Sequence, residues 1–344
     1  MTPMKTGLWL IQLGTPDEPS VDACKKFLYE FLMDKRVIDI PFPFRWSLVH
    51  AIVPFRARKV VHAYRSVWLP NGSPLRVYST ELEAELQKKL GSKILVRLGM
   101  MYGNPSMQKA WEDFKNADVE RLIVLPLYPQ YASASSGSAL EKVLGLLQKE
   151  VNIPSLSFVP PFFDQEFFIE ALHARAKETD LSRFDHFLFS FHGLPERQIK
   201  KSDASDAHCL LTKHCCDEAE AQLSFCYRAQ SVRSANLLAK RLNISPDKMS
   251  IGFQSRLGRT PWIRPYTDEI IINLAKEGKK RIAVFEPSFV ADCLETLEEI
   301  GIRGRESFLK AGGEELYLVP SLNAHSVWVN GLSSYLKKHF FVEV

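Results

Sequence analysis

The chain has 344 residues, 46% hydrophobic and 24% charged, the balance of a globular protein with room for two domains of ordinary size. With 44 basic and 40 acidic residues the net charge is +4, too mild to argue for nucleic acid, and no basic tract or recognition module is present. No stretch approaches the ~18 apolar residues of a membrane span. The N-terminal apolar run ends at Gln12 and has no basic leader or small-residue cleavage site, so the sequence predicts a cytoplasmic chain with reduced cysteines.

Short apolar runs at 7–13, 94–98, 121–127, 156–159, 184–191, 249–253, 281–285 and 316–319 alternate with amphipathic stretches of helical length. That alternation predicts an α/β protein built from βαβ units with parallel sheets. Eight runs suit two Rossmann-like lobes, each with a four-stranded parallel sheet flanked by helices and with a ligand cleft between them. Pro154, Pro160 and Pro161 punctuate the middle, which places the lobes at 1–154 and 155–325. A final helix in 326–344 is expected to pack back on the first lobe.

In chain order, the first notable segment is 40–68. Phe42, Phe44, Trp46, Leu48, Ile52, Val53 and Phe55 are interleaved with Arg45, Arg56, Arg58 and Lys59. It reads equally as a core helix with a basic outer face, or as an apolar lip able to touch a membrane surface through residues 41–55. Loops rich in Gly, Pro and Ser then follow several strands: Tyr102-Gly103-Asn104-Pro105, Tyr128-Pro129-Gln130-Tyr131 with Ser133 to Ser138, His192-Gly193-Leu194-Pro195 and Phe253-Gln254-Ser255-Arg256. None is a Gly-x-Gly-x-x-Gly or Walker cradle, which disfavours a nucleotide enzyme.

His192 ends an apolar run at a forced turn, where a histidine can serve as base or metal ligand, although a backbone-bonded structural histidine is the commoner case. Cys209, Cys215, Cys216 and Cys226 are four of the six cysteines, spaced C-x5-C-C-x9-C. This is not the double CxxC of a zinc ribbon, and adjacent thiolates reach different irons of an iron–sulfur cluster more easily than one tetrahedral ion. His208 and His214 keep zinc as an alternative. Finally, at about 100° per residue Asp292, Glu295 and Glu299 fall within a ~60° arc of a predicted helix that starts where the 281–285 strand ends. Such a row could collect a cation or accept protons, and the plainer reading is a solvated helix face.

Taken together, these segments resemble ferrochelatase from nearly one end of the chain to the other. Leu10-Ile11-Gln12-Leu13-Gly14-Thr15-Pro16 looks like the opening strand and loop of that family. Asn71-Gly72-Ser73-Pro74-Leu75, Tyr102-Gly103-Asn104-Pro105-Ser106 and Pro126-Leu127-Tyr128-Pro129-Gln130-Tyr131 are similar to its porphyrin-side loops. Phe191-His192-Gly193-Leu194-Pro195 resembles the segment with its active-site histidine, and Gln254-Ser255-Arg256-Leu257-Gly258, with Trp262 and Pro265, another signature loop. The 292–299 segment looks like its Asp-His-x-Glu-Thr-Leu-x-Glu signature.

The resemblance implies a class II chelatase-like fold and insertion of ferrous iron into protoporphyrin IX, the last step of haem synthesis, with release of two protons. It casts His192 and Glu295 as the catalytic pair that also meets the substrate iron. Asp292 and Glu299 become supporting groups, and Arg56, Tyr64, Ser73, Tyr102, Tyr131, Ser138 and Trp262 porphyrin-side residues, with Arg56 and Ser73 near the propionates. Which face delivers metal and which takes protons stays open. It further implies a 2Fe–2S cluster on Cys209, Cys215, Cys216 and Cys226, and a protein that is cytoplasmic or peripheral on the inner face of the membrane. Three departures stand out: Cys293 replaces a histidine, Met101 an arginine, and Gly301 and Arg303 further acids. A coproporphyrin ferrochelatase, another tetrapyrrole metal chelatase and a non-catalytic porphyrin or haem carrier are the alternatives.

Overall fold

The computed structural model describes residues 5–212, 215–216, 224–256, 258 and 260–341. Strands β1 (Thr6–Thr15), β2 (Ile94–Gly103), β3 (Arg121–Pro126) and β4 (Ser155–Phe158) form one sheet in the order β2-β1-β3-β4. Strands β5 (His186–His192), β6 (Met249–Gln254), β7 (Arg281–Phe285) and β8 (Glu315–Leu318) form a second in the order β6-β5-β7-β8. Every pairing is parallel. Each strand overlaps one of the eight apolar runs, because a parallel sheet covered by helices buries both faces of its strands. Leu8, Trp9, Leu10 and Ile11 of β1 and Leu188, Phe189 and Phe191 of β5 are accordingly fully buried.

The chain divides into two compact units, Met1–Tyr128 with Ser133–Pro160 and Val329–Val344, and Pro129–Ala132 with Pro161–Trp328. In each sheet the first strand of the set is central, and the chain builds outward on one side before crossing to the other. The crossover creates a crevice outside the carboxyl ends of the two middle strands, the usual ligand position in open α/β sheets. In the second unit those strands are β5, which ends on His192, and β7, which is followed directly by Glu286.

In the first unit the helix Phe42–Val67 carries both readings of its segment. Val49, Val53, Ala57, Val61 and Tyr64 recur at helical spacing and are buried. Its N-terminal end exposes Phe42, Phe44, Trp46 and Leu48, and further along Phe55 is 73% exposed. Arg45 does not belong to the outer basic face: it is buried, with Nη1 donating to the carbonyls of Ile38 and Ile40. Among the described residues no helix is long and apolar enough to cross a membrane.

The acidic row differs from its expected form. The segment Glu295–Gly304 is a π-helix that continues into the α-helix Arg305–Lys310, and Asp292 lies ahead of it in the loop after β7. The 3.6-residue period that put Asp292, Glu295 and Glu299 on one face therefore does not apply. Hydrogen bonds to the fifth residue widen each turn, a rare geometry that tends to occur at functional sites.

Candidate active site

The site is built on the carboxyl ends of β5, β6 and β7. His192 closes β5, and its backbone N–H donates to Ser288 Oγ at 3.2 Å. Its Nδ1 lies 2.6 Å from the Gly193 carbonyl, an acceptor only, so Nδ1 carries a proton and, in the neutral ring, Nε2 presents its lone pair. The loop that holds this ring is fastened on both sides. Gly193 N donates to Gln254 O at 2.8 Å, while Ile263 N and Glu196 N donate to the carbonyls of Leu194 and Pro261. A Cβ at Gly193 would stand 2.7 Å from Gln254 O, so only glycine allows the close approach. The half-buried Trp262 and the ring of Phe289 flank the imidazole at 6.4 and 6.3 Å between ring centroids.

Gln254, the last residue of β6, is buried and fixes the start of the π-helix. Its Nε2 donates to the Glu295 carbonyl at 3.0 Å, and its Oε1 accepts from Ser190 Oγ, which also meets Thr267 Oγ1. Ser255 adopts a left-handed backbone with φ of 64°. Its N–H and Oγ both donate to the Glu299 carboxylate, at 2.9 and 2.6 Å, which holds the strained turn in place. Arg256 points away, paired with Asp268 and Glu269 and lying over Tyr266. Leu257 of the same signature lies outside the described residues.

The carboxyls are unequal. Burial pushes the Glu299 carboxyl above the usual range; Ser255 and the charge of His192 oppose that rise, and Glu295 adds to it. Glu295 itself is half-buried at the head of the π-helix. Asp292 is 4% exposed and accepts from Thr296 Oγ1, Ser321 N and Asn323 Nδ2, bonds that fasten the loop after β7. Glu298 pairs with Arg303. The Cys293 thiol is buried, and burial pushes it well above the ordinary thiol value.

Sequence reasoning missed Glu286. It is 6% exposed, and neither carboxyl oxygen has a well-formed hydrogen bond. Burial pushes it far above the usual carboxylate range; the nearby Gln254 amide opposes this, and the charges of Asp292, Glu299 and Glu295 reinforce it. Its only signal in the sequence was an acid placed immediately after a wholly apolar strand.

The porphyrin-side residues of the first unit are largely engaged inside it. Tyr64 is buried edge-on to Trp68, and Ser73 is buried and caps the helix Pro74–Leu90 by accepting from Arg76 N. The Tyr102 hydroxyl donates to Asp34 at 2.8 Å with the ring 1% exposed, and Ser138 is as deeply buried. Arg56 is half-buried, next in sequence to the exposed Phe55. In the second unit Tyr131 is half-buried, its N–H donating to Gln230 Oε1 at 2.6 Å.

The cysteines come together in pairs. Cys209 and Cys226 lie 3.8 Å apart, and Cys215 and Cys216 4.0 Å, sulfur to sulfur. Two thiolates bound tetrahedrally to one ion at ~2.3 Å stand about 3.8 Å from each other. The adjacent Cys215 and Cys216, expected to reach different irons, thus have the spacing of ligands on one. Cys226 caps the helix Tyr227–Arg241, and its thiol is drawn down to about 6 by the Cys216 hydrogen bond and, against burial, by the backbone N–H groups of that helix. Burial and the Cys226 charge push Cys209 up to about 12. Asp203 secures the loop, accepting from the backbone N–H groups of Ser205, His208 and Cys209. His208 Nε2 is bound to the Cys215 carbonyl, and His214 lies outside the described residues. Among the described residues no three His, Cys, Asp or Glu side chains are arranged around a single metal position.

Comparison with known proteins places this arrangement. The sequence matches the ferrochelatase family over residues 5–340. It is 44% identical to the ferrochelatase of Coxiella burnetii (strain Dugway 5J108-111) across 97% of this chain and 94% of that one. It is 45% identical to the ferrochelatase of Legionella pneumophila (strain Lens) across 98% and 100%. Among solved structures, SirB from Bacillus subtilis with Fe3+ superposes with a TM-score of 0.55 at 13% identity, covering 97% of this chain and 95% of SirB, a likeness of fold. A histidine with a free Nε2 beside unequal carboxyls, in a chain that matches one family almost from end to end, leaves a single conclusion: the chain belongs to the ferrochelatase family.

Proposed function

We infer that the protein inserts ferrous iron into protoporphyrin IX with release of two protons, giving protohaem. The observation that carries this reading is the His192 imidazole, tautomer fixed, at the same sheet end as Glu286, Glu295 and Glu299. Metal insertion requires the pyrrole N–H protons to leave as iron arrives, so the site needs a base and a group for the cation at once. His192 Nε2 accepts a pyrrole proton. Glu299, raised by burial and charge-coupled to His192, receives it onward toward solvent. Glu295, whose backbone Gln254 holds, offers its carboxylate to the iron. Trp262, Phe289 and Tyr131 supply aromatic surface for the macrocycle. His192→Ala and Glu295→Gln each abolish insertion in a folded protein, and near-normal turnover in either variant refutes the assignment. Comparing porphyrins with two and four propionates separates this substrate from coproporphyrin.

Cys209, Cys215, Cys216 and Cys226 are further proposed to hold a 2Fe–2S cluster, supported by the two sulfur pairs at ligand spacing. Bound there, the group would cross-link the 203–216 segment to the helix Tyr227–Arg241 and carry a charge set by its oxidation state. Zinc alone in the isolated protein, with no charge-transfer absorption, would overturn this. The exposed aromatics of residues 42–55 support peripheral contact with a membrane surface.

A further inference from the structure

We propose that Arg45 heads a phosphate-binding pocket, built wholly from the first unit, whose ligand is a phosphate group, free or carried on a lipid headgroup.

A cavity of about 290 Å³, open to solvent on one side, lies among Asp34, Lys35, Arg45, Ser138, Glu141 and Lys142. That is the small end of the range for ligand pockets, enough for a phosphate and too little for a tetrapyrrole. Its two acids are already engaged. Asp34 accepts from the Tyr102 hydroxyl and the Arg36 backbone N–H, and Glu141 pairs with Lys35 and Arg36. The other two cations have no such partner. Lys142 Nζ lies over the Tyr102 ring, 4.6 Å from its centroid. Arg45 is 8% exposed; its Nη1 donates to the carbonyls of Ile38 and Ile40, and its buried Nε has no acceptor. Among the described residues neither Arg45 nor Lys142 pairs with a carboxylate. Ser138 is 1% exposed, and its Oγ has no well-formed hydrogen bond.

A buried guanidinium is normally paired, because taking its charge out of water is costly. The element missing here is an anion. A planar fork of N–H groups, an ammonium and a hydroxyl around one small cavity match the several oxygens of a phosphate better than the two of a carboxylate. A headgroup can reach the same place, since Phe42, Phe44, Trp46 and Leu48, on either side of Arg45 in the chain, are exposed and suited to a lipid surface.

The test titrates the full chain calorimetrically with inorganic phosphate at constant ionic strength, with chloride as the control. Wild type shows saturable binding to phosphate alone. Lys142→Gln weakens it about tenfold, the worth of one charge-assisted hydrogen bond. Arg45→Lys weakens it as much although the charge is kept, because an ammonium lacks the planar fork. Melting without phosphate checks that each variant is folded, and Lys142→Gln, at a half-buried position, decides the matter if Arg45→Lys unfolds. Vesicles of matched surface charge separate the two sources. With a headgroup source, Lys142→Gln binds phosphatidic acid vesicles about tenfold less tightly than wild type and phosphatidylglycerol vesicles equally. With a free source, variant and wild type bind both vesicles alike, and an equal loss on both is surface charge and overturns the headgroup source. No saturable phosphate binding by wild type, or the same affinity in wild type and Lys142→Gln, overturns the proposal.

Discussion

Replacing Gly193 by alanine tests how tightly the His192 loop must lie against β6. The added Cβ would stand 2.7 Å from the Gln254 carbonyl oxygen and 3.2 Å from Trp262 Cε3. The first contact is with backbone in a paired strand, which cannot give way as a flexible side chain would. The loop must therefore lift, losing the Gly193 N to Gln254 O bond and tilting the carbonyl that fixes the His192 tautomer. Overpacking of this kind costs about 1–3 kcal/mol, and the lost hydrogen bond about 1 kcal/mol. A net loss near 2.5 kcal/mol lowers the melting temperature by about 5–10 °C for a unit of this size. The effect on catalysis is larger, because a misplacement on the order of 1 Å costs about 100-fold in rate. Melting followed by circular dichroism and the loss of free-porphyrin fluorescence on iron addition measure the two effects on one preparation. Turnover within twofold of wild type, whatever the melting temperature, refutes the claim that this contact sets the position of His192.

Glu286 yields a prediction about pH. The folded protein keeps its proton to higher pH than the unfolded chain, where the carboxyl ionises near 4.5, so its contribution to stability declines as pH climbs from there toward the folded value. Glu286→Gln removes that decline, and its urea midpoint should exceed that of wild type by more at about pH 8 than at about pH 5; equal differences sink the idea. Asp203→Ala frees three backbone N–H groups of the cysteine loop, and metal bound per chain should at least halve; undiminished content in the purified variant counts against the loop's role. Serine at Phe42, Phe44, Trp46 and Phe55 removes side chains each able to contribute roughly 2 kcal/mol on insertion. The variant should stay in the supernatant when liposomes pellet wild type, and equal pelleting of the two removes this face from membrane contact.

The eight strands were legible because each is buried on both faces and reads as an unbroken apolar run. His192 was legible for a related reason, since it ends such a run at a glycine that the backbone needs. The acidic segment was misread by its period. Over two turns a spacing of three or four residues looks alike in an α-helix and a π-helix, and nothing local distinguishes Asp292, held by Thr296, Ser321 and Asn323, from Glu299, held by Ser255. Glu286 was invisible because an acid after a strand normally opens a loop; only tertiary packing buries it. Arg45 is the mirror case, a cation whose neighbours in sequence suggest a wet face and whose partners are two carbonyls.

The two sheets have matching strand orders, and in each unit the third strand of the set leads into a π-helix, Ser133–Gly137 after β3 and Glu295–Gly304 after β7. Such helices are rare enough that the coincidence makes the units architectural counterparts. Their chemistry has nevertheless diverged. The first copy carries Ser133, Ser135 and Ser136 where the second carries Glu295, Glu298 and Glu299. A doubled framework of this kind lets the two units differ in chemistry: acids gather in the unit that also owns His192, while the π-helix of the other has no ionisable side chain and meets charge where Ser133 Oγ accepts from Arg36.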